Sequence, residues 1–355
     1  MQIATKKDVI ESILINSQAF LEKKDPTNIT SHIYIDASNE DVIIKATDSE
    51  IGLEVRSNQF QIITPGIFTA NGKKLLDIVR SLRDDTIEFI VEDSNLLIIQ
   101  NSTKFKLPTF SYSEYPTFPT IDNKSKISLD SLSLIKSLKK IIPAIDVNNP
   151  KYELNGALID IKRDKTLFVG TDTRRLAIVE LNNKSDEELS LIIPKKAIIE
   201  IQKLFLDQID IFYDENTIII KNEQFFIFSR LINGKFPNYE RIIPNMTKYN
   251  LTIPKKEILD AMKVVNIISP EIKITFENNL ITLESLNGDI QEAKTTIETP
   301  ISIDEKYAMG VNSKYLFDFI SQIDSDKFNI KLNEPNLPFV VKSENFLTVI
   351  MPILL

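Results

Sequence analysis

Two kinds of hydrophobic spacing alternate along this chain. Short runs rich in Ile, Val, Phe and Thr, such as "DVIIKAT", "TIEFIVED", "NLLIIQ", "TLFVGTD", "NTIIIK", "EQFFIFSRLI", "KITFEN", "KFNIKLN" and "FLTVIMPIL", predict strands. Six other segments carry apolar residues three and four apart and predict helices: "TKKDVIESILINSQAFL", "NGKKLLDIVRSL", "SLSLIKSLKKII", "PKKAIIEIQKLF", "PKKEILDAMKVVNII" and "NSKYLFDFISQI". The helices fall into two types. One begins near residues 5, 130 and 254, the other near 71, 194 and 312. The second type is followed each time by a pair of strands. Each unit thus reads strand, helix, several strands, helix, several strands, with a repeat of roughly 120 to 125 residues. The first two units close on similar words, "EYPTFP" (114–119) and "GKFPNYERIIP" (234–244). Three like domains are expected, 1–122, 123–246 and 247–355, each α+β.

Composition narrows the chemistry. There is no Cys, which removes disulfides, thiolate metal sites and Cys nucleophiles and fits a reducing compartment. The single His, His32, sits in the strand-like "TSHIYIDAS" and reads as a strand residue, so a His-based metal site or triad has little to build on. Neither a GxxxxGK[ST] nor a GxGxxG loop occurs, and no cofactor is called for. The N-terminal residues lack the basic and apolar regions of a signal peptide, and no apolar run approaches membrane-spanning length. A soluble, cytoplasmic protein without a membrane partner is the expectation.

The net charge of −8 argues against a nucleic-acid partner only if charge is spread evenly. It is not. The helical segments carry Lys6-Lys7, Lys73-Lys74, Lys139-Lys140, Lys195-Lys196 and Lys255-Lys256, and the sixth carries Lys314. Lys at a helix N-terminus opposes the macrodipole by some tenths of a kcal/mol. Either these residues form a basic surface with a purpose, or they are the wet faces that surface helices need.

The most distinctive stretch is "GTDTRRLAIVEL" (170–181), a strand, a polar turn and a second strand. Thr171 and Asp172 suit capping of the turn, and Arg174 and Arg175 belong to its tip. Together with "YELNGALID" (152–160), "IIPKKAIIEI" (192–201), "GKFPNYERIIP" (234–244), "GVNSKYLFDFI" (310–320) and the terminal "VIMPILL" (349–355), it resembles the bacterial DNA polymerase III beta subunits, the sliding clamps, in order and spacing from Met1 to Leu355.

That resemblance implies three DNA-clamp domains, each with two helices packed on antiparallel sheets, closing into a ring as a head-to-tail homodimer around double-stranded DNA. It implies no enzymatic activity: the ring tethers a polymerase and confers processivity. Diffuse Lys contacts to phosphates would hold DNA without reading its sequence. The family's DNA-contacting positions fall on Lys24, Lys73, Lys136, Asn148, Lys151, Tyr152, Lys195 and Lys196. The loop "KKDPTN" (23–28) departs from the family by placing Asp25 before Pro26. A groove for short partner peptides, from the polymerase III alpha subunit, the clamp-loader delta subunit and others, maps onto Leu154, Thr171, Arg174, Arg175, Leu176, Pro237, Arg241, Ile242, Asn312, Tyr315, Val349, Met351, Pro352 and Ile353. Its apolar residues would take Leu and Phe anchors, and Arg175, Arg241 and Asn312 would hold peptide polar groups. Thr173 stands where Gly is frequent, Arg174 where His is frequent, and Leu354 where Arg often precedes the last Leu. The subunit contact would bring Lys104 and Phe105 of "TKFKL" against Ile267 and Ile268 of "VVNIIS" in a second copy.

Two other readings compete. In a carboxylate-based hydrolase or transferase, Asp48 and Asp172 would be the acids, but they occupy equivalent positions of two repeats rather than one site. A scaffold of β-rich domains that binds no DNA is the other. The uncharged ending "FLTVIMPILL" is expected to divide at Ile350, with a last strand before it and a tail beside "TDTRRLA" after it.

Overall fold

All six helical segments become α-helices, and the period-two runs pair into antiparallel sheets. The computed structural model describes residues 1–127, 129–186, 188–286 and 292–355. The elements of the first third are β1 (Gln2–Lys6), α1 (Lys7–Ser17), β2 (His32–Asp36), β3 (Val42–Thr47), β4 (Ile51–Ser57), β5 (Gln61–Thr64), β6 (Ile67–Asn71), α2 (Gly72–Ser81), β7 (Thr86–Glu92), β8 (Asn95–Gln100) and β9 (Thr103–Pro108). The middle third has β10 (Ser125–Ile127), α3 (Ser131–Ile141), β11 (Gly156–Ile161), β12 (Lys165–Thr171), β13 (Arg175–Asn182), β14 (Leu189–Pro194), α4 (Lys195–Leu204), β15 (Asp210–Tyr213), β16 (Thr217–Lys221) and β17 (Phe225–Arg230). The last third has β18 (Tyr249–Pro254), α5 (Lys255–Val265), β19 (Glu271–Glu277), β20 (Leu280–Ser285), β21 (Lys294–Glu298), β22 (Tyr307–Asn312), α6 (Ser313–Ile320), β23 (Lys327–Leu332), β24 (Phe339–Ser343) and β25 (Phe346–Ile350).

The chain divides into two compact units, Met1–Leu132 with Lys196–Leu231, and Ser133–Lys195 with Ile232–Leu355. The first unit holds a five-stranded sheet, β5-β1-β7-β8-β9, and an eight-stranded sheet, β10-β15-β16-β17-β4-β3-β2-β6. The second holds an eight-stranded sheet, β14-β11-β12-β13-β25-β24-β23-β18, and a four-stranded sheet, β21-β20-β19-β22. The middle repeat therefore contributes one sheet half to each unit. Its β17 pairs with β4, placing Phe228 opposite Gly52, and its β13 pairs with β25, placing Leu176 opposite Val349.

These eight-stranded sheets are apolar on both faces at their centres, which is why β12 reads as a run of buried residues rather than an alternation. By pleating, Leu167 and Val169 face one way and Phe168 the other. On the Leu167 side, Leu158, Val169, Leu176, Ile178, Ile192, Val340 and Val349 form a core under the linker residues Ile232 and Tyr239. On helix α6, Phe319 packs against Phe328 of β23 and Phe346 of β25, with ring centroids 5.7 and 4.9 Å apart. Full burial of such a ring contributes about 1.5–3 kcal/mol, and it fixes α6 against the last strand.

The paired lysines divide into two roles. Lys7 Nζ donates to Leu82 O (2.7 Å) and Arg80 O (3.1 Å) at the end of α2. Lys195 Nζ donates to Ile145 O (2.5 Å), just past α3 and its short 3-10 extension. Lys255 Nζ donates to Ile323 O (2.5 Å), just past α6. Each begins one helix but satisfies carbonyls at the end of another, where a cation is favoured and acceptors are otherwise unpaired. The lysines on either side of them, Lys6, Lys196 and Lys256, are exposed, as are Lys73 and Lys74. Lys139 and Lys140 lie in the last turn of α3, not its first, and there they complement the dipole. Among the described residues, no helix is long and apolar enough to cross a membrane.

Candidate functional site

The β12–β13 hairpin is built by its own side chains. Asp172 Oδ1 accepts from the backbone N–H groups of Arg174 and Arg175, both at 3.0 Å. Thr171 Oγ1 accepts from Thr173 N (3.1 Å) and donates to Arg175 O (2.6 Å). Thr173 lies in the left-handed region at φ 72°. The β3–β4 hairpin repeats this turn: Asp48 Oδ1 accepts from Glu50 N and Ile51 N, and Ser49 has φ 76°. Both aspartates are therefore turn formers.

Arg175 is the hub of the second unit. Its residue is only 6% exposed. Nε donates to Asp172 Oδ2 (3.0 Å), Nη1 to Asp318 Oδ2 (2.7 Å), and Nη2 to Pro143 O. The guanidinium also lies over the Tyr315 ring, 4.5 Å from its centroid. Burial pushes the Tyr315 phenol above its usual range, and Asp172 adds to this. Burial depresses the Lys195 ammonium, and nearby Arg175 depresses it further. All three nitrogens of the Arg175 guanidinium are engaged within the protein. It braces the hairpin against α6. Asn312 is likewise engaged: its side chain caps α6 by accepting from Lys314 N at 3.0 Å. The exposed cations left at this place are Arg174 and Arg241.

Strand β25 ends beside this hairpin, and the tail turns across it. Met351 N donates to Arg174 O (2.9 Å), and Ile353 N donates to Gly310 O in β22 (2.8 Å). The tail thus brings Met351, Pro352 and Ile353 to Thr171, Arg174 and Leu176. Leu154, Leu176 and Val349 are buried, whereas Ile242 (47%) and Met351 (40%) are exposed.

The 3-10 turn Tyr239–Ile242 follows Pro237 and carries Arg241. Tyr239 Oη donates to Asp160 Oδ2 (2.7 Å), and Ser190 Oγ donates to Asp160 Oδ1 (2.8 Å). Burial and the Asp160 carboxylate push the Tyr239 phenol far above its usual range. Lys162 pairs with Glu240 at 2.5 Å, which raises its ammonium pKa. Clefts of about 550 and 540 Å³ flank this turn; Leu167, Ile178, Ile243 and Leu347 line the first, and Leu158, Ile192, Phe236 and Pro237 the second.

Of the residues aligned with DNA contacts, Lys24, Lys73, Lys136, Asn148, Lys151 and Tyr152 are exposed. Lys195 is turned inward to Ile145 O, and Lys196 pairs with Asp48. In the divergent loop, Asp25 accepts from Thr27 N (2.9 Å) and Thr27 Oγ1 (2.6 Å). Those bonds lower its pKa and make it a turn former. His32 is buried, stacked on Phe110 at 4.0 Å, with its pKa lowered to about 4 by burial and then by Lys74.

Phe105 and Lys104 lie on β9, an edge strand of the five-stranded sheet. Ile267 is 81% exposed just past α5. Helix α5 packs on β20 and β21, and β21 is the open edge of the four-stranded sheet. The sequence reading missed β21. Its signal was the alternation in "KTTIE", obscured by neighbouring polar residues.

Repeated helix-pair and antiparallel-sheet units, with a C-terminal tail running beside the β12–β13 hairpin, define a clamp-type architecture. The chain matches the DNA polymerase III beta subunit family in all three of its parts: the N-terminal domain at 1–119, the central domain at 128–238 and the C-terminal domain at 240–354. It is 36% identical to the beta sliding clamp of Helicobacter pylori strain J99 over 351 residues, covering 96% of this chain and 94% of that one. It is 25% identical to that of Staphylococcus aureus strain Mu50, covering 99% of each. The crystal structure of the Helicobacter pylori beta clamp bound to a DNA ligase peptide superposes with TM-score 0.93, 36% identity and full coverage of both chains. This chain belongs to the DNA polymerase III beta subunit family, the sliding clamps, which are non-catalytic accessory subunits of that polymerase.

Proposed function

We propose that this protein closes as a head-to-tail homodimer around double-stranded DNA and holds the polymerase and other replication or repair proteins on it. The observation that carries this reading is the threefold repeat joined into two continuous eight-stranded sheets, with the β9 and β21 edges left open. A head-to-tail contact joins unlike surfaces, and open edges are natural places for one. Phe105 of one copy would then pack on Ile267 and Ile268 of the other, with Lys104 at the rim, and β9 would lie along β21. The domains we assign meet near residues 122 and 246. The cytoplasm is the compartment we assign.

Lys24, Lys73, Lys136, Asn148, Lys151 and Tyr152 would face the DNA, with Lys195 and Lys196 adjoining them. Exposed lysines without base-reading partners favour phosphates of any sequence and leave the ring free to move. The groove formed by Leu154, Thr171, Leu176, Pro237, Ile242, Val349, Met351, Pro352 and Ile353 would take the apolar anchors of partner peptides, including those of the polymerase alpha and clamp-loader delta subunits. Arg174 and Arg241 would meet peptide polar groups, while Arg175, Asn312 and Tyr315 hold the walls. Such a small contact gives modest affinity, which suits exchange of partners.

Retention on nicked circular DNA tests encirclement. The protein, once loaded, should stay on the circle and leave when the circle is linearised. Salt-sensitive binding that survives linearisation would mark an ordinary DNA-binding protein, and no retention on either form would overturn the reading.

A further inference from the structure

We infer that Gly310 is a positioning residue of the peptide groove: its lack of a side chain lets the C-terminal tail cross β22 and stand as a groove wall. This rests on the groove reading above. Gly310 lies inside β22, paired with Lys273 of β19 on one side. On the other side no strand pairs with it; the tail does, through Ile353 N to Gly310 O at 2.8 Å. A Cβ at residue 310 would stand 2.6 Å from Ile353 O and 3.1 Å from Leu355 Cδ2. The first of these neighbours is backbone and cannot rotate away. The φ of Gly310 is outside the left-handed region, so the backbone conformation itself does not demand glycine. Glycine inside a strand is otherwise unfavourable, and close approach of another chain segment is its usual reason.

Two backbone bonds fix the tail. One is Met351 N to Arg174 O, and the other is Ile353 N to Gly310 O. Pro352, between them, has no N–H to offer. With the second bond lost, Met351 to Ile353 would hang from the hairpin tip alone. Both attachment points belong to one braced frame. Strand β22 runs into Asn312, the cap of α6, and α6 grips Arg175 through Asp318 and Tyr315. A side chain at 310 would disconnect the tail from this frame without touching the hairpin, the β9 edge or the lysines.

The test compares wild type, Gly310→Ala, a chain lacking residues 351–355, and the combination, using fluorescence anisotropy with a labelled DNA ligase peptide. Gly310→Ala should weaken binding about three- to tenfold, the worth of one net hydrogen bond and its ordering. The truncated chain should bind at least as poorly, and Gly310→Ala should change nothing further in it. Melting temperature and sedimentation should stay those of wild type in the single variant. If truncation weakens binding but Gly310→Ala does not, the inference falls and the groove stands. An equal loss from Gly310→Ala in the truncated chain would also overturn it, since the effect would not pass through the tail. Unchanged affinity on truncation would overturn the groove reading itself.

Discussion

The two hairpins that carry the "TD" words sit at matched joints that are filled in different ways. In the first unit, β4 meets β17, and Arg230 N donates to Glu50 O at 2.8 Å. In the second, β13 meets β25, and Met351 N donates to Arg174 O at 2.9 Å. The turns share their aspartate caps and a residue at positive φ. The side chains then diverge. Where the second joint has Leu176 opposite Val349, the first has Gly52 opposite Phe228, whose ring lies where a Cβ of residue 52 would be. Phe118 of the first linker stacks edge-on to Phe228 at 4.9 Å and lies under the Lys45 ammonium. The first joint is thus filled by the protein's own aromatics. The second has smaller aliphatic residues at the matched positions. Where the first joint has buried Ile51, the second has buried Arg175 with its ring of acceptors. One backbone design therefore serves as an aromatic-filled joint in one place and as a polar-braced joint in the other.

Removing the brace should have the largest effect. Arg175→Ala removes the ion-pair partner of Asp172 and leaves Asp318 with Lys314 alone, and should lower stability by about 3–5 kcal/mol in denaturant unfolding, whereas Ile51→Val at the matched position should cost about 0.5–1.5 kcal/mol. Equal losses would mean that the charged joint is held by packing alone. Phe228→Ala should cost about 3–5 kcal/mol by opening a cavity. Gly52→Ala should be damaging in wild type but nearly neutral beside Phe228→Ala, because the two side chains compete for one space. Additive losses would separate them. Tyr239→Phe should cost about 1–3 kcal/mol by freeing one oxygen of Asp160, and should weaken peptide binding by loosening the turn that carries Pro237 and Ile242. Tyr115, the matched tyrosine, donates instead to the carbonyls of His32 and Lys45 at 3.2 and 3.1 Å. Tyr115→Phe should therefore leave peptide affinity unchanged; a matching loss would break the contrast. The smallest effect is expected at Thr173. Thr173→Gly relieves a branched side chain at φ 72° and should raise stability by up to about 1 kcal/mol in thermal unfolding.

The six helices, the repeat and the "TD" turns were legible because each depends on residues close in sequence: a 3.6-residue apolar period, an Asp two places before the N–H it accepts, a Gly-poor alternation in strands. The helix limits came out a few residues shorter than the apolar windows, as at α1, where a 3-10 turn at Gln18–Phe20 takes over. The apolar ending was legible too, since Phe346–Ile350 is a short run of aromatic, β-branched and aliphatic residues and Pro352 interrupts it.

Other features depend on partners brought from far along the chain. That Lys7, Lys195 and Lys255 cap distant helix ends follows from which carbonyls lie near them, 75, 50 and 68 positions away. Nothing beside Arg175 in sequence reveals Asp318, 143 positions on, so a rim cation and a buried strut look alike until the chain is folded. Strand β21 is too polar to announce itself, and β9 gains its meaning from having one neighbour instead of two. Local sequence thus determined the elements and the family, because short-range periodicity and turn chemistry act within a few residues. Only tertiary structure decided which charges are free, how each joint is filled and why residue 310 lacks a side chain, because each of those turns on space and acceptors supplied by another part of the chain.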